Sequence, residues 1–144
     1  MKFKQQEESS KNNPFIESVA NLIKICIQFE YAIKSQIDFV ENKYEISKYY
    51  DHVNEDLAKL TKLYISLNPT HKRPGLLVEL IPVDSIKDLK DFEEKYYNML
   101  KEIGKNALEA GEFEVISYLS ELIKNFEHYF CILDEDDDSR ETSS

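Results

Sequence analysis

The sequence predicts an all-α protein, an antiparallel four-helix bundle, on three observations. Four stretches carry apolar residues in steps of three and four, the spacing of one helix face. Two connections between them are short and one is long, which pairs the helices as two hairpins joined by a long connection from the second helix to the third. The 144 residues fit one domain, long enough to bury roughly two-thirds of its unfolded surface without a metal or disulfide staple. The expected organisation is a disordered N-terminus over 1–13, a bundle over 14–133 and an acidic disordered tail over 134–144.

Asn13-Pro14 opens α1, expected at 14–41, because Asn caps and Pro is tolerated at the first helical position. Its stripe is Phe15, Val19, Leu22, Cys26, Phe29, Ile33, Ile37, Val40 and Tyr44. Asn42 with Glu45 forms a capping box that restarts the chain as α2, expected at 45–67. Its stripe is Ile46, Tyr49/Tyr50, Val53, Leu57, Leu60, Tyr64 and Leu67. The break carries neither Gly nor Pro, yet a continuous α1–α2 would be about 80 Å long at 1.5 Å per residue, so a turn is expected. Asn68-Pro69 ends α2, and the loop to Gly75 carries the basic run His71, Lys72 and Arg73. The apolar segment Leu76 to Ile81, closed by Pro82, reads equally as a helical turn or as an extended stretch.

Asp84 or Ser85 caps α3, expected at 85–110 with the stripe Ile86, Leu89, Phe92, Tyr96, Leu100, Ile103, Ala107 and Ala110. Gly104 inside it costs about 1 kcal/mol against Ala, a cost that close helix approach would offset. Gly111 suits the left-handed cap of a tight turn into α4, expected at 112–133. The α4 stripe is Phe113, Ile116, Leu119, Ile123, Phe126, Phe130 and Leu133.

The composition excludes several functions. A net charge of −10 opposes direct duplex DNA binding, whose affinity comes largely from neutralising phosphates. Only Arg73 and Arg140 are Arg among eighteen basic residues, so a bidentate phosphate or carboxylate clamp is not expected. No apolar run is long enough to span a membrane, and the N-terminal stretch lacks the apolar core of a secretory signal, so the cytoplasm is the expected location. Cys26 and Cys131 lie in apolar helical stretches and read as buried thiols, with a disulfide left open should their helices be neighbours. There is no Gly-rich phosphate cradle, no nucleophile elbow and no Cys–His spacing of a thiol enzyme.

The hairpin–crossover–hairpin layout is similar to ferritin-type bundles, which hold a lone Glu on two helices and Glu-x-x-His on the other two. That motif does not carry over. Three residues before His52 stands Tyr49, and three before His128 stands Asn125. Glu30 reads as a flank residue of α1 and both histidines as half-exposed structural residues. The interior is expected to be apolar from end to end, with Leu57 beside Leu60 and Ile123 beside Phe126. No catalytic residue, cofactor or metal is therefore expected, and carboxylates converging with a histidine between the helices would overturn that reading.

Three features remain for binding. The doublets Tyr49-Tyr50 and Tyr96-Tyr97 cannot each point both rings inward, since adjacent helical residues lie about 100° apart, and an outward Tyr is a favoured interface anchor. His71, Lys72 and Arg73 form a small basic run that reads as a solvated loop or else as a docking point for an acidic partner or phosphate. From Asp134 to Ser144 six acids face one Arg140, so half of the net charge sits there. The run Asp134, Glu135, Asp136, Asp137 and Asp138 opposes the dipole of the helix before it and is expected to project into solvent.

A small helical chain ending in Leu133-Asp134-Glu135-Asp136-Asp137-Asp138 resembles the non-catalytic accessory subunits of archaeal B-family replicative DNA polymerases. Its Lys-, Ile-, Glu- and Tyr-rich, Trp-free composition suits a thermophilic archaeon. The resemblance implies an adaptor in DNA replication that docks on a larger subunit while its acidic tail restrains strand displacement. The alternatives are a ferritin-like metal-binding protein and a self-associating structural bundle.

Overall fold

The computed structural model describes residues 13–37, 43–70, 72, 75–83 and 85–129, with the backbone alone for Lys43 and Tyr129. Among them are four helices: α1 Ile16–Gln36, α2 Lys43–Leu67, α3 Ile86–Ala110 and α4 Phe113–Tyr129. The chain is an all-α four-helix bundle, as the stripes predict. The Asn42 capping box, the last turn expected of α1, His71, Arg73, Asp84, Cys131 and the acidic tail lie outside the described residues.

The punctuation at Ser85 and Gly111 acts as read, whereas α1 begins two residues later than expected, with Phe15 at its N-cap and no side-chain cap bond. Asn13 Oδ1 accepts from the Phe15 N–H at 2.9 Å, closing the turn into α1. Ser85 caps α3, its hydroxyl accepting from the Asp88 N–H at 3.1 Å. Gly111 takes the left-handed conformation at φ 71° and sends its N–H back to α3, a conformation that favours a residue without Cβ.

Residue pairings give the topology. Cys26 meets Val53 and Phe29 meets Tyr49, so α2 runs antiparallel to α1. Tyr97 meets Phe126 while Gly104 lies against Leu119, so α4 runs antiparallel to α3. Each of α1 and α4 packs on both α2 and α3, leaving α2 and α3 diagonal and parallel across the core. Two parallel helices joined in sequence need a connection that returns along the bundle, and residues 68–85 supply it.

That crossover has no helix over 75–83. It is tied to α1 by polar side chains: Gln28 Nε2 donates to the Glu79 carbonyl at 3.3 Å, Gln36 Nε2 to the Val83 carbonyl, and the Val83 N–H to Ser35 Oγ at 3.1 Å. Gln36 is fully buried in this role, and Val83 closes the core at that end. The open question over Leu76 to Ile81 is thus answered as non-helical.

Candidate functional site: a polar centre inside the bundle

The interior is not apolar from end to end. Asp56 and Glu93 are 5% and 2% exposed, enclosed among the core residues. Both lie where the stripe pointed to a neighbouring hydrophobe: α2 buries Asp56 and leaves Leu57 half-buried, and α3 buries Glu93 and leaves Phe92 half-buried. Ile123 is also half-buried, with Leu122 taking the inward place on α4. The apolar-interior expectation is overturned, and with it the simplest argument against an active site.

Each carboxylate has a dedicated donor on the diagonal helix. The Tyr96 hydroxyl of α3 donates to Asp56 Oδ2 of α2 at 3.0 Å. The Tyr49 hydroxyl of α2 donates to Glu93 Oε2 of α3. The two bonds run in opposite senses between the same pair of helices, each helix giving one tyrosine and one acid. A buried carboxylate without a partner costs several kcal/mol, and a phenol donor is one way to lower that cost without a cation.

Aromatic packing fixes both hydroxyls. Phe29 stands edge-on to Tyr49 at 5.7 Å and tilted on Tyr96 at 5.8 Å, and Phe126 closes on Tyr96 at 5.7 Å from α4. Cys26 is a buried thiol beside them, donating to the Val53 carbonyl at 3.7 Å. Desolvation, and then the neighbouring Asp56, push the thiol pKa up, away from nucleophilic thiolate. Desolvation dominates Asp56 as well, and lifts its carboxyl to about 7.

A cavity of about 10 Å³ touches this centre, lined by Tyr49, His52, Val53 and Asp56 of α2 and Asn125 and Phe126 of α4. That is room for about one water molecule. His52 stands at its edge with Nδ1 3.9 Å from Glu55 Oε2, and desolvation lowers its pKa. Among the described residues no group of three or more His, Cys, Asp or Glu side chains stands where it would hold a metal ion. Glu30 is half-buried on α1 as a flank residue, its Oε2 enclosed without a hydrogen-bond partner, and burial raises its pKa.

The sequence-selected residues separate into three groups. Tyr49 and Tyr96, read as partner anchors, are 1% and 0% exposed; that reading is corrected, because their rings fill the core and their hydroxyls serve the buried acids. Tyr50 and Tyr97 are half-buried. Tyr97 stacks on Phe126 at 5.0 Å, donates to Glu127 Oε1 at 2.8 Å and carries Lys101 Nζ 4.3 Å above its ring. Lys72 is exposed, its carbonyl accepting from Asn68 Nδ2 at 3.2 Å.

The periodicity gave no sign of the exposed apolar residues. Leu77 is 94% exposed on the crossover, with Leu80 and Ile81 about half-exposed after it. Phe113, expected in the α4 stripe, is 80% exposed at the start of that helix, and Leu108, before the turn, is 67% exposed. Val115 takes the inward place instead.

The chain matches no family model, no curated protein and no solved structure. No helix among the described residues is long and apolar enough to cross a membrane.

Proposed function

We propose that this protein is a non-catalytic binding subunit that docks on a larger protein through its crossover. The observation that carries the reading is the strip Leu77, Leu80 and Ile81, held out from the bundle by a segment whose polar anchors to α1 fix its position. Large apolar side chains exposed close together in sequence point to an interaction surface. The polar centre is compatible with that reading: each of its acids is bonded to a tyrosine, and the cavity beside Asp56 has room for about one water molecule.

The partner surface is expected to be apolar at its middle and basic around it, since this chain carries a net charge of −10. A replicative DNA polymerase, with basic surfaces along its nucleic-acid path, fits that chemistry and the tail Asp134–Asp138 of the sequence. In that setting the face supplies affinity, and the tail acts electrostatically near the DNA.

The test compares wild type, Leu77→Asp/Ile81→Asp and a chain cut before Asp134 as baits in native extract, then against the purified partner at low and high salt. The double variant should lose the partner at both salt concentrations. The truncated chain should keep it and alter strand displacement, with a difference that shrinks as salt rises. A double variant that binds as wild type does would remove the crossover from the interface and end this reading.

A further inference from the structure

The cavity beside Asp56 lies in the seam between α2 and α4, the least extensive of the four helix–helix contacts. Farther along, the seam is bridged by Lys59 Nζ to Glu121 Oε1 at 3.0 Å and by Ser66 Oγ to Glu114 Oε2 at 2.6 Å. Both bridges are exposed, and exposed polar bridges contribute little. Beside the cavity the seam instead holds a buried carboxylate, a one-water space and the half-buried His52 and Asn125, which lead outward.

We propose that the α2–α4 seam is a proton-controlled opening of the bundle, closed while Asp56 is protonated and loosened when Asp56 is ionised. The cause is solvation. A neutral carboxyl is held by the Tyr96 hydroxyl and tolerates a dry site, whereas a carboxylate demands more donors than one phenol provides. Water entering through the cavity supplies them, and the space grows at the seam with the fewest contacts to break. The carboxyl sits near neutral pH, within reach of ordinary changes in acidity.

The groups around Asp56 set the balance. From α1 the Cys26 thiol faces it, with Glu30 beyond. On α2 itself Glu55 opposes its ionisation and Lys59 favours it; from α4 Glu121 opposes it. From α3 Tyr96 bonds the ionised form, and Glu93 lies one turn before Tyr96, bonded to Tyr49. His52, across the same seam from His128, is lowered by burial, so it titrates on the acid side in the opposite sense. Any test must therefore separate acid from imidazole.

Hydrogen exchange read helix by helix does so. Corrected for intrinsic rates, protection of α4 amides in the wild type should fall about tenfold from about pH 6 to about pH 8, with α1 unchanged. Asp56→Asn and Asp56→Leu should each show less than a twofold change, while His52→Gln should keep the wild-type step. The step should coincide with the Asp56 carboxyl carbon titration followed by NMR, which uses unaltered protein and stands even where a variant fails to fold. Protection that is flat with pH, a step that survives loss of the acid, a step removed by His52→Gln, or a midpoint displaced from that of Asp56 would each overturn the proposal.

Discussion

Asp56 and Leu77 occupy each other's expected places. The acid lies 5% exposed among phenylalanines and tyrosines, and the leucine is 94% exposed on a connecting segment. Residue type does not explain the exchange; neighbours do. Position 56 falls on the inward face of α2 opposite a tyrosine hydroxyl, so burial costs less than the side chain alone would suggest. Position 77 lies on a crossover whose backbone is tied to α1, and nothing among the described residues covers its side chain. The first region carries order inside the fold; the second is available to another molecule.

Four measurements sharpen or break that contrast. The largest effect is expected from Phe29→Ala, which removes the ring between Tyr49 and Tyr96 and should cost about 3–5 kcal/mol in denaturant unfolding. Next is Tyr96→Phe, which leaves Asp56 buried without its donor and should cost about 1–3 kcal/mol. In the Asp56→Asn background the same change should cost less, and equal costs in both backgrounds would deny the pairing.

The third measurement is stability against pH. Asp56 is lifted from 3.8 to about 7 in the folded protein, so the folded state binds the extra proton. Its contribution is present in full below about pH 4 and is lost as pH rises towards 7, on the order of 1.4 kcal/mol per pH unit while only the unfolded chain is ionised. His52, lowered by burial, opposes this on the acid side: its contribution is present above the ordinary histidine range and fades as pH falls through it. Asp56→Asn should remove the first slope and leave the second.

Gly104→Ala is the fourth and smallest. A Cβ there would meet Ile123 Cδ1 at 3.7 Å and Leu119 Cβ at 3.9 Å, ordinary contact distances. The close approach that would explain a glycine is not required, so alanine should stabilise the chain by about 1 kcal/mol. A loss of stability would show that the helices have no room to accept even a methyl group.

The four helices, the cap at Ser85, the turn at Gly111 and the crossover between two hairpins were legible in the sequence. These follow from the period of the apolar residues and from local backbone chemistry, which act within a turn or two and so are written in consecutive residues. The sequence also identified the tyrosine doublets, but not what the inward ring of each pair would do. That Asp56 displaces Leu57 and Glu93 displaces Phe92 from the inward places emerged only from helix packing. A stripe is broad enough to admit either neighbour, and the choice depends on a hydroxyl 40 or more residues away. The exposure of Leu77 and Phe113 was settled in the same way, because whether an apolar side chain is covered depends on which element folds back over it.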